Sequence, residues 1–240
     1  MPMLHEDAIA LNTGRNCLVY LIETNNIESI YLLYFICSAI IDICNKYKVR
    51  ISFYHINDID NNLNVDIEDK AYLYVINYYG QLTNNKITDL KRRYNNLIID
   101  NAHAYFQRPV QDVDTIYTCR KFFGVTDGAF LYTNKKLQRI LERDFSHKRA
   151  QFLLGRYEKS ANEFYQDFLN NEEMLSHEKL KVMSKLTYNL LHGIDYINVI
   201  NKRTRNYNFL YNNLEKINKL KLKKLKELFL IHYMLKIAKN

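Results

Sequence analysis

The sequence predicts an α/β fold in which a mainly parallel, mixed sheet lies between helices, followed by a helical C-terminal extension. Three observations carry this expectation. From about residue 8 to residue 133, short apolar β-rich runs alternate with helical stretches, the arrangement that builds a helix-covered parallel sheet. The 240 residues are 48% hydrophobic, enough for one full globular domain, or for one domain and part of a second. Beyond residue 135 the chain turns polar, with apolar residues at three- and four-residue spacing, the period of helices.

Taken in order, Leu11-Asn12-Thr13-Gly14-Arg15-Asn16 forms a small polar turn ahead of an apolar helix at 15–23. A strand is expected at 29–34, a helix at 38–47, strands at 50–56 and 71–79, and a helix at 86–94. Strands at 96–100, 114–118 and 128–132 complete the set. Ligands of such sheets gather at the carboxyl ends of strands, and both Asp100 and Thr118 fall there. The extension should begin with a helix through Leu137, Ile140, Leu141 and Phe145, then Phe152, Leu153, Tyr157 and Phe164. A second helical stretch is expected from 177 to 217, which contains no proline. The organisation is therefore a large domain over 1–175, a connecting helix over 176–217 and a basic tail over 218–240.

Charge and cysteines exclude several classes. Residues 216–240 hold eight lysines against the single acid Glu227, so they carry +7 of the net +8. The body is nearly neutral and offers no basic face for nucleic acid. The longest apolar run, residues 30–41, is too short to cross a membrane and meets Asp42. The first seven residues lack the basic and apolar regions of a secretory signal, and a cytoplasmic location is expected. Cys17, Cys37, Cys44 and Cys119 have no metal-ligand spacing, so free, mostly buried thiols are expected and no metal site.

Asp100 ends an apolar strand, where a carboxylate is costly unless paired or hydrogen-bonded. Lys121 follows in Tyr117-Thr118-Cys119-Arg120-Lys121-Phe122-Phe123-Gly124. A carboxylate and a lysine at successive strand ends are what pyridoxal 5'-phosphate requires: an amine to condense with its aldehyde and an acid to hold its ring nitrogen protonated. Arg120 and the two phenylalanines suggest an amine drawn into a partly apolar site beside a cation, both of which favour the free base. The alternatives are a helix cap at Asp100 and a surface loop lysine. His103, three residues past Asp100, is close enough to reach the same ligand, or is a satisfied loop histidine. Thr13, Gly14 and Arg15 open a helix, where free backbone N–H groups suit a phosphate or make an ordinary cap.

These elements occur together and in order. Leu11-Asn-Thr-Gly-Arg-Asn-Cys-Leu18, Asn77-Tyr-Tyr-Gly-Gln81, Ile98-Ile-Asp-Asn-Ala-His-Ala104 and Tyr117-Thr-Cys-Arg-Lys-Phe-Phe-Gly124 resemble the DegT/DnrJ/EryC1/StrS group of pyridoxal-phosphate sugar aminotransferases, over roughly residues 8–215. The resemblance implies the aspartate-aminotransferase-like type I fold. It makes Lys121 the lysine that holds the cofactor, Asp100 the partner of the ring nitrogen and His103 the contact of the ring hydroxyl. Thr13, Gly14, Arg15 and Thr118 then hold the phosphate, with Thr118 closer to Lys121 in sequence than in most members. The position of the ring-stacking aromatic holds Cys37, with Tyr34 or Phe35 as substitutes.

The implied substrates are a nucleotide-linked keto-sugar and an amino donor such as glutamate, in glycan biosynthesis, and the implied assembly is a homodimer. The chain departs from the family where an Asn and an Arg precede Met-Ser, since Leu180 and Val182 precede Met183-Ser184, and family members extend further at both ends. Two other functions are therefore expected as alternatives: an inactive truncated remnant, or a binding module that uses the basic tail.

Overall fold

The computed structural model describes residues 3–56, 63–218 and 222. Strands β1 (Ile9–Leu11), β2 (Ser29–Leu33), β3 (Arg50–Tyr54), β4 (Tyr72–Ile76), β5 (Leu97–Asp100), β6 (Asp114–Thr118) and β7 (Ala129–Tyr132) are interleaved with helices α1 (Gly14–Asn25), α2 (Ser38–Lys46) and α3 (Asn84–Arg93). Helices α4 (Gln151–Glu158), α5 (Tyr165–His177), α6 (Lys185–His192) and α7 (Tyr196–Leu214) follow. The seven strands form one sheet in the order β1-β7-β6-β5-β4-β2-β3. β2 to β6 run parallel, and β7 is antiparallel to both β6 and β1. The mixed, mainly parallel sheet expected from the sequence is the one observed. The basic tail lies outside the described residues except for Asn218 and Leu222.

Both sheet faces are buried, and side-chain alternation divides each strand between them. Tyr74, Ile76, Ile98, Ile116, Ala129 and Leu131 join the cluster under α1 and α2. Leu73, Val75, Leu97 and Ile99 point to the other face, where Ile87 and Leu90 of α3 cover them. Beside α3, Tyr117 and Phe130 enter an aromatic cluster with Tyr105, Phe106, Phe122 and Tyr196.

The departures from the sequence expectation have specific causes. β1 is only three residues long, and its pairing with β7 from Ile9↔Leu131 to Leu11↔Ala129 is what makes it a strand. The strand expected over 71–79 stops at Ile76. The Asn77 Oδ1 accepts the Leu82 N–H at 2.8 Å, and Tyr79 and Gly80 take φ of 54° and 67°, so the chain turns there. Residues 135–145 are not helical. Val182 N–H donates to the Glu142 carbonyl (2.8 Å) and Asp144 N–H to the Val182 carbonyl (2.9 Å), a pairing that needs an extended chain. Leu137 and Leu141 still pack against the α1 cluster, but Ile140 is 98% exposed.

The same pairing interrupts the stretch expected from 177 to 217. Val182 bridges Leu11 and Arg143. Ser184 then caps α6, with its backbone N–H and hydroxyl both donating at 2.8 Å to buried Asp127. At Gly193 the chain breaks again before α7. Cys17, Cys44 and Cys119 are buried and Cys37 is exposed, all as free thiols.

His5 is buried completely among Tyr105, Tyr117 and Phe130. Its Nε2 lies 2.8 Å from the Tyr105 carbonyl and its Nδ1 3.1 Å from the Tyr132 hydroxyl. The neutral ring satisfies both, donating from Nε2 and accepting at Nδ1. Burial, despite the carbonyl, lowers its pKa to about 4, below the unfolded value near 6.5. The unfolded chain therefore takes up this proton more readily, and stability present above pH 6.5 is lost as pH falls toward 4. Unfolding free energy from urea titrations should fall between pH 7 and pH 4.5 by about 2–3 kcal/mol more in the native chain than in His5→Gln. Parallel pH dependence of the two proteins would refute this.

Candidate functional site

The expected site residues lie at the carboxyl ends of β5 and β6 and at the start of α1. After β1, Asn12 is held from three directions. Its N–H donates to the Lys181 carbonyl (3.0 Å), its carbonyl accepts the Gly128 N–H (2.6 Å), and its side chain donates to the Lys179 carbonyl (3.0 Å). Gly128 has φ +115°, and a side chain there would meet Thr187 Cγ2 at 2.9 Å. Only glycine permits this approach. Thr13 follows with extended backbone, and its hydroxyl accepts the Asn16 N–H at 3.1 Å to cap α1. A methyl group added at Gly14 would stand 3.8 Å from Thr118 Cβ. The turn and the end of β6 are therefore neighbours, as an anion site built from both requires.

Asp100 closes β5 with part of its surface open. Oδ1 accepts the Ala102 N–H and Oδ2 the Tyr74 hydroxyl, each at 2.8 Å. Burial raises its carboxyl above the ordinary value, opposed by these two hydrogen bonds and by the charge of Lys121.

The setting of Lys121 differs from the expectation of an amine drawn into an apolar site. After β6 the chain turns, with the Phe122 and Phe123 N–H groups both donating to the Cys119 carbonyl at 3.0 Å. This sends Phe122 into the aromatic cluster and leaves Lys121 exposed. Arg120 ion-pairs with Glu172 of α5. Burial, with Arg15 and Arg149 nearby, lowers its pKa to about 10. Arg203 of α7 secures the turn, donating to the Phe122 carbonyl at 3.1 Å with its guanidinium 5.0 Å from that ring's centre. Lys121 sits on the rim of a cavity of about 410 Å³ between this turn and Phe152, Arg156, Tyr157 and Phe168 of α4 and α5.

His103 lies against two rings that follow β4, 5.5 Å from Tyr78 and 5.7 Å from Tyr79. Tyr78 also lies tilted against Phe35, with ring centres 6.0 Å apart, and donates to the Phe35 carbonyl. Tyr34 turns away toward β3, stacked on His55 at 4.8 Å. Cys37 starts α2 and is exposed. Of the three candidates for an aromatic wall, Phe35 is therefore the one joined to the His103 group. Tyr74 was not singled out from the sequence. It lies within the run 71–79, but which residues of β4 face Asp100 follows from the β4–β5 register, Ile76 opposite Asp100, and that is not written in either strand alone. Among the described residues no group of three or more His, Cys, Asp or Glu can hold a metal ion, and no helix is long and apolar enough to cross a membrane.

No protein-family model and no curated protein sequence matches the chain. Solved structures do. A DegT DnrJ EryC1 StrS aminotransferase from Brucella abortus aligns over 94% of this chain and 64% of its own, at 13% identity and a TM-score of 0.50. A sugar aminotransferase from Micromonospora echinospora aligns over 54% of this chain and 42% of its own, at 12% identity and a TM-score of 0.40. An aminotransferase from Psychrobacter cryohalolentis aligns over 53% and 37%, at 17% identity and a TM-score of 0.39. The chain thus spans less than two thirds of the length of each. The likeness to the Brucella structure establishes the fold: a mixed seven-stranded sheet between helices, the type I aminotransferase architecture.

Proposed function

We propose that the chain is a pyridoxal-phosphate-dependent aminotransferase that moves an amino group, with glutamate as donor, onto a nucleotide-linked keto-sugar in cytoplasmic glycan biosynthesis, as a homodimer. One observation carries the reading. A carboxylate hydrogen-bonded at the end of β5, a lysine in the turn that follows β6 and a helix-opening turn beside Thr118 lie at one end of the sheet. Their chemistry fits the cofactor: Asp100 needs a cationic partner to offset its burial, and the start of α1 suits a dianion.

Bound there, pyridoxal phosphate supplies an aldehyde that takes up amines and a protonated ring that draws electrons from the adjacent carbon. Asp100 would hold the ring-nitrogen proton. Thr13, Gly14, Arg15 and Thr118 would hold the phosphate, the threonines by hydroxyl and Arg15 by charge, and His103 would contact the ring hydroxyl. Lys121 Nζ would hold the cofactor and, as a free amine, would take up or give a proton at the substrate carbon. The exposed position of Lys121 leaves that amine open to an incoming ligand.

The native chain mixed with pyridoxal phosphate should give a new visible absorbance band, lost in Lys121→Ala. An equal band in both proteins refutes the assignment of Lys121. Thr13→Ala should lower stability by about 1 kcal/mol through loss of the α1 cap, and weaken pyridoxal phosphate binding roughly tenfold. Loss of stability with unchanged binding would remove Thr13 from the phosphate site. Transfer of nitrogen from labelled glutamate to a nucleotide keto-sugar tests the substrate class, and absence of label in the sugar counts against it.

A further inference from the structure

We propose that Tyr74 is a positioning residue: its hydroxyl, packed under α1 and α2, donates to Asp100 Oδ2 and fixes the plane of that carboxylate as a hydrogen-bond acceptor. The role inferred for Tyr74 rests on the reading of Asp100 as the partner of the cofactor's ring nitrogen.

Tyr74 is 1% exposed and stands in a cluster built mostly of aliphatic side chains, including Ile30, Leu32, Ile98 and Ile116. A phenol there is costly unless its hydroxyl finds a partner, and phenylalanine would fill nearly the same volume. The partner is Asp100, at 2.8 Å. The register explains the meeting. Ile76 stands opposite Asp100 and Tyr74 opposite Ile98, so Tyr74 and Asp100 project to the same sheet face from adjoining strands.

The two donors to Asp100 differ in kind. Ala102 N–H belongs to the turn that Asp100 itself begins, so it moves with that turn. Tyr74 belongs to β4 and ties the carboxylate to the sheet. One oxygen is assigned to each donor, which sets the plane, and an ionised carboxylate offers only acceptor sites to a third partner. The polarity of the pair is also fixed. Burial and the neighbouring Asp100 push the Tyr74 phenol far up, which favours the phenol as the donor to the carboxylate.

The other groups that act on Asp100 come from three elements. Cys17 of α1 is held far above its ordinary value by burial. Tyr78, after β4, is likewise raised by burial and by Asp100. Lys121, after β6, supplies positive charge. Cys44 of α2 acts on Tyr74 and is raised by burial to about 11. At neutral pH the two thiols and the phenols are uncharged, so Lys121 and the two hydrogen bonds are what offset burial at Asp100.

The test follows the Asp100 carboxyl carbon by NMR in the full chain, labelled at aspartate and free of cofactor. Three proteins are compared: native, Tyr74→Phe, and one with 3-fluorotyrosine placed site-specifically at Tyr74, which keeps the shape and gives a stronger donor. The Asp100 midpoint should rise by about one to two pH units in Tyr74→Phe and fall with fluorotyrosine. Pyridoxal phosphate binding, read from its absorbance, should weaken roughly tenfold in Tyr74→Phe. An unchanged midpoint in both variants overturns the proposal. So does a shifted midpoint with unchanged cofactor affinity, because the bond then positions nothing. If the native chain binds no pyridoxal phosphate, the cofactor reading fails and the positioning role fails with it, while the titration still decides whether Tyr74 sets the Asp100 carboxyl. Should Tyr74→Phe lose its circular dichroism melt, the fluorotyrosine protein decides alone.

Discussion

The site depends on one row of the parallel ladder. Ile76, Asp100 and Ile116 stand opposite one another across β4, β5 and β6, so β4 and β5 end level and β6 runs on to Thr118. A register slip of one residue would send every side chain of a strand to the other face. Asp100 would then point toward the α3 side, away from α1 and Tyr74. The row is held past its end as well: Asn77 N–H donates to the Asp100 carbonyl and Asn101 N–H to the Ile116 carbonyl, at 2.9 and 2.8 Å.

Just beyond that row, a buried amide cluster locks the loops. Asn77 Nδ2 lies within hydrogen-bond distance of Asn101 Oδ1 (3.0 Å) and Gln107 Oε1 (2.7 Å), while Gln107 Nε2 reaches the Leu82 carbonyl at 2.9 Å. Three amides from two successive loops meet there, with Asn101 Nδ2 buried and without a hydrogen-bond partner among the described residues, and such a network favours one arrangement because each further lost partner leaves another buried polar group unpaired. The result is that Tyr78, Tyr79 and His103 share one wall. Lys121 is placed by different means, a short turn anchored from α5 through Glu172 and from α7 through Arg203. The helices after residue 150 therefore bear on the candidate site although none lies in the sheet's βαβ core.

Much of the site was legible in the sequence because its residues sit in local patterns. Thr13 before an apolar helix reads as a cap, and it is one. Asp100 at the end of a Leu-Ile-Ile run reads as a strand end, and the strand ends there. Lys121 was located but its setting was not, since the sequence places Phe122 and Phe123 beside it without saying which way the turn sends them. Tyr74 was hidden for a similar reason: one tyrosine among many in an apolar run carries no mark of a buried hydroxyl's partner.

The sequence by itself determined the α/β alternation, the strand ends at Asp100 and Thr118, and the cap that starts α1, because each follows from the period or chemistry of a few adjacent residues. Only the tertiary structure decided the antiparallel β1, the extended pairing of Val182 with Leu11 and Arg143, and the meeting of Tyr74 with Asp100. These join residues 26 to 171 positions apart. Their hydrogen-bond partners are fixed by strand order and register, which come into being only when the whole sheet closes over its core.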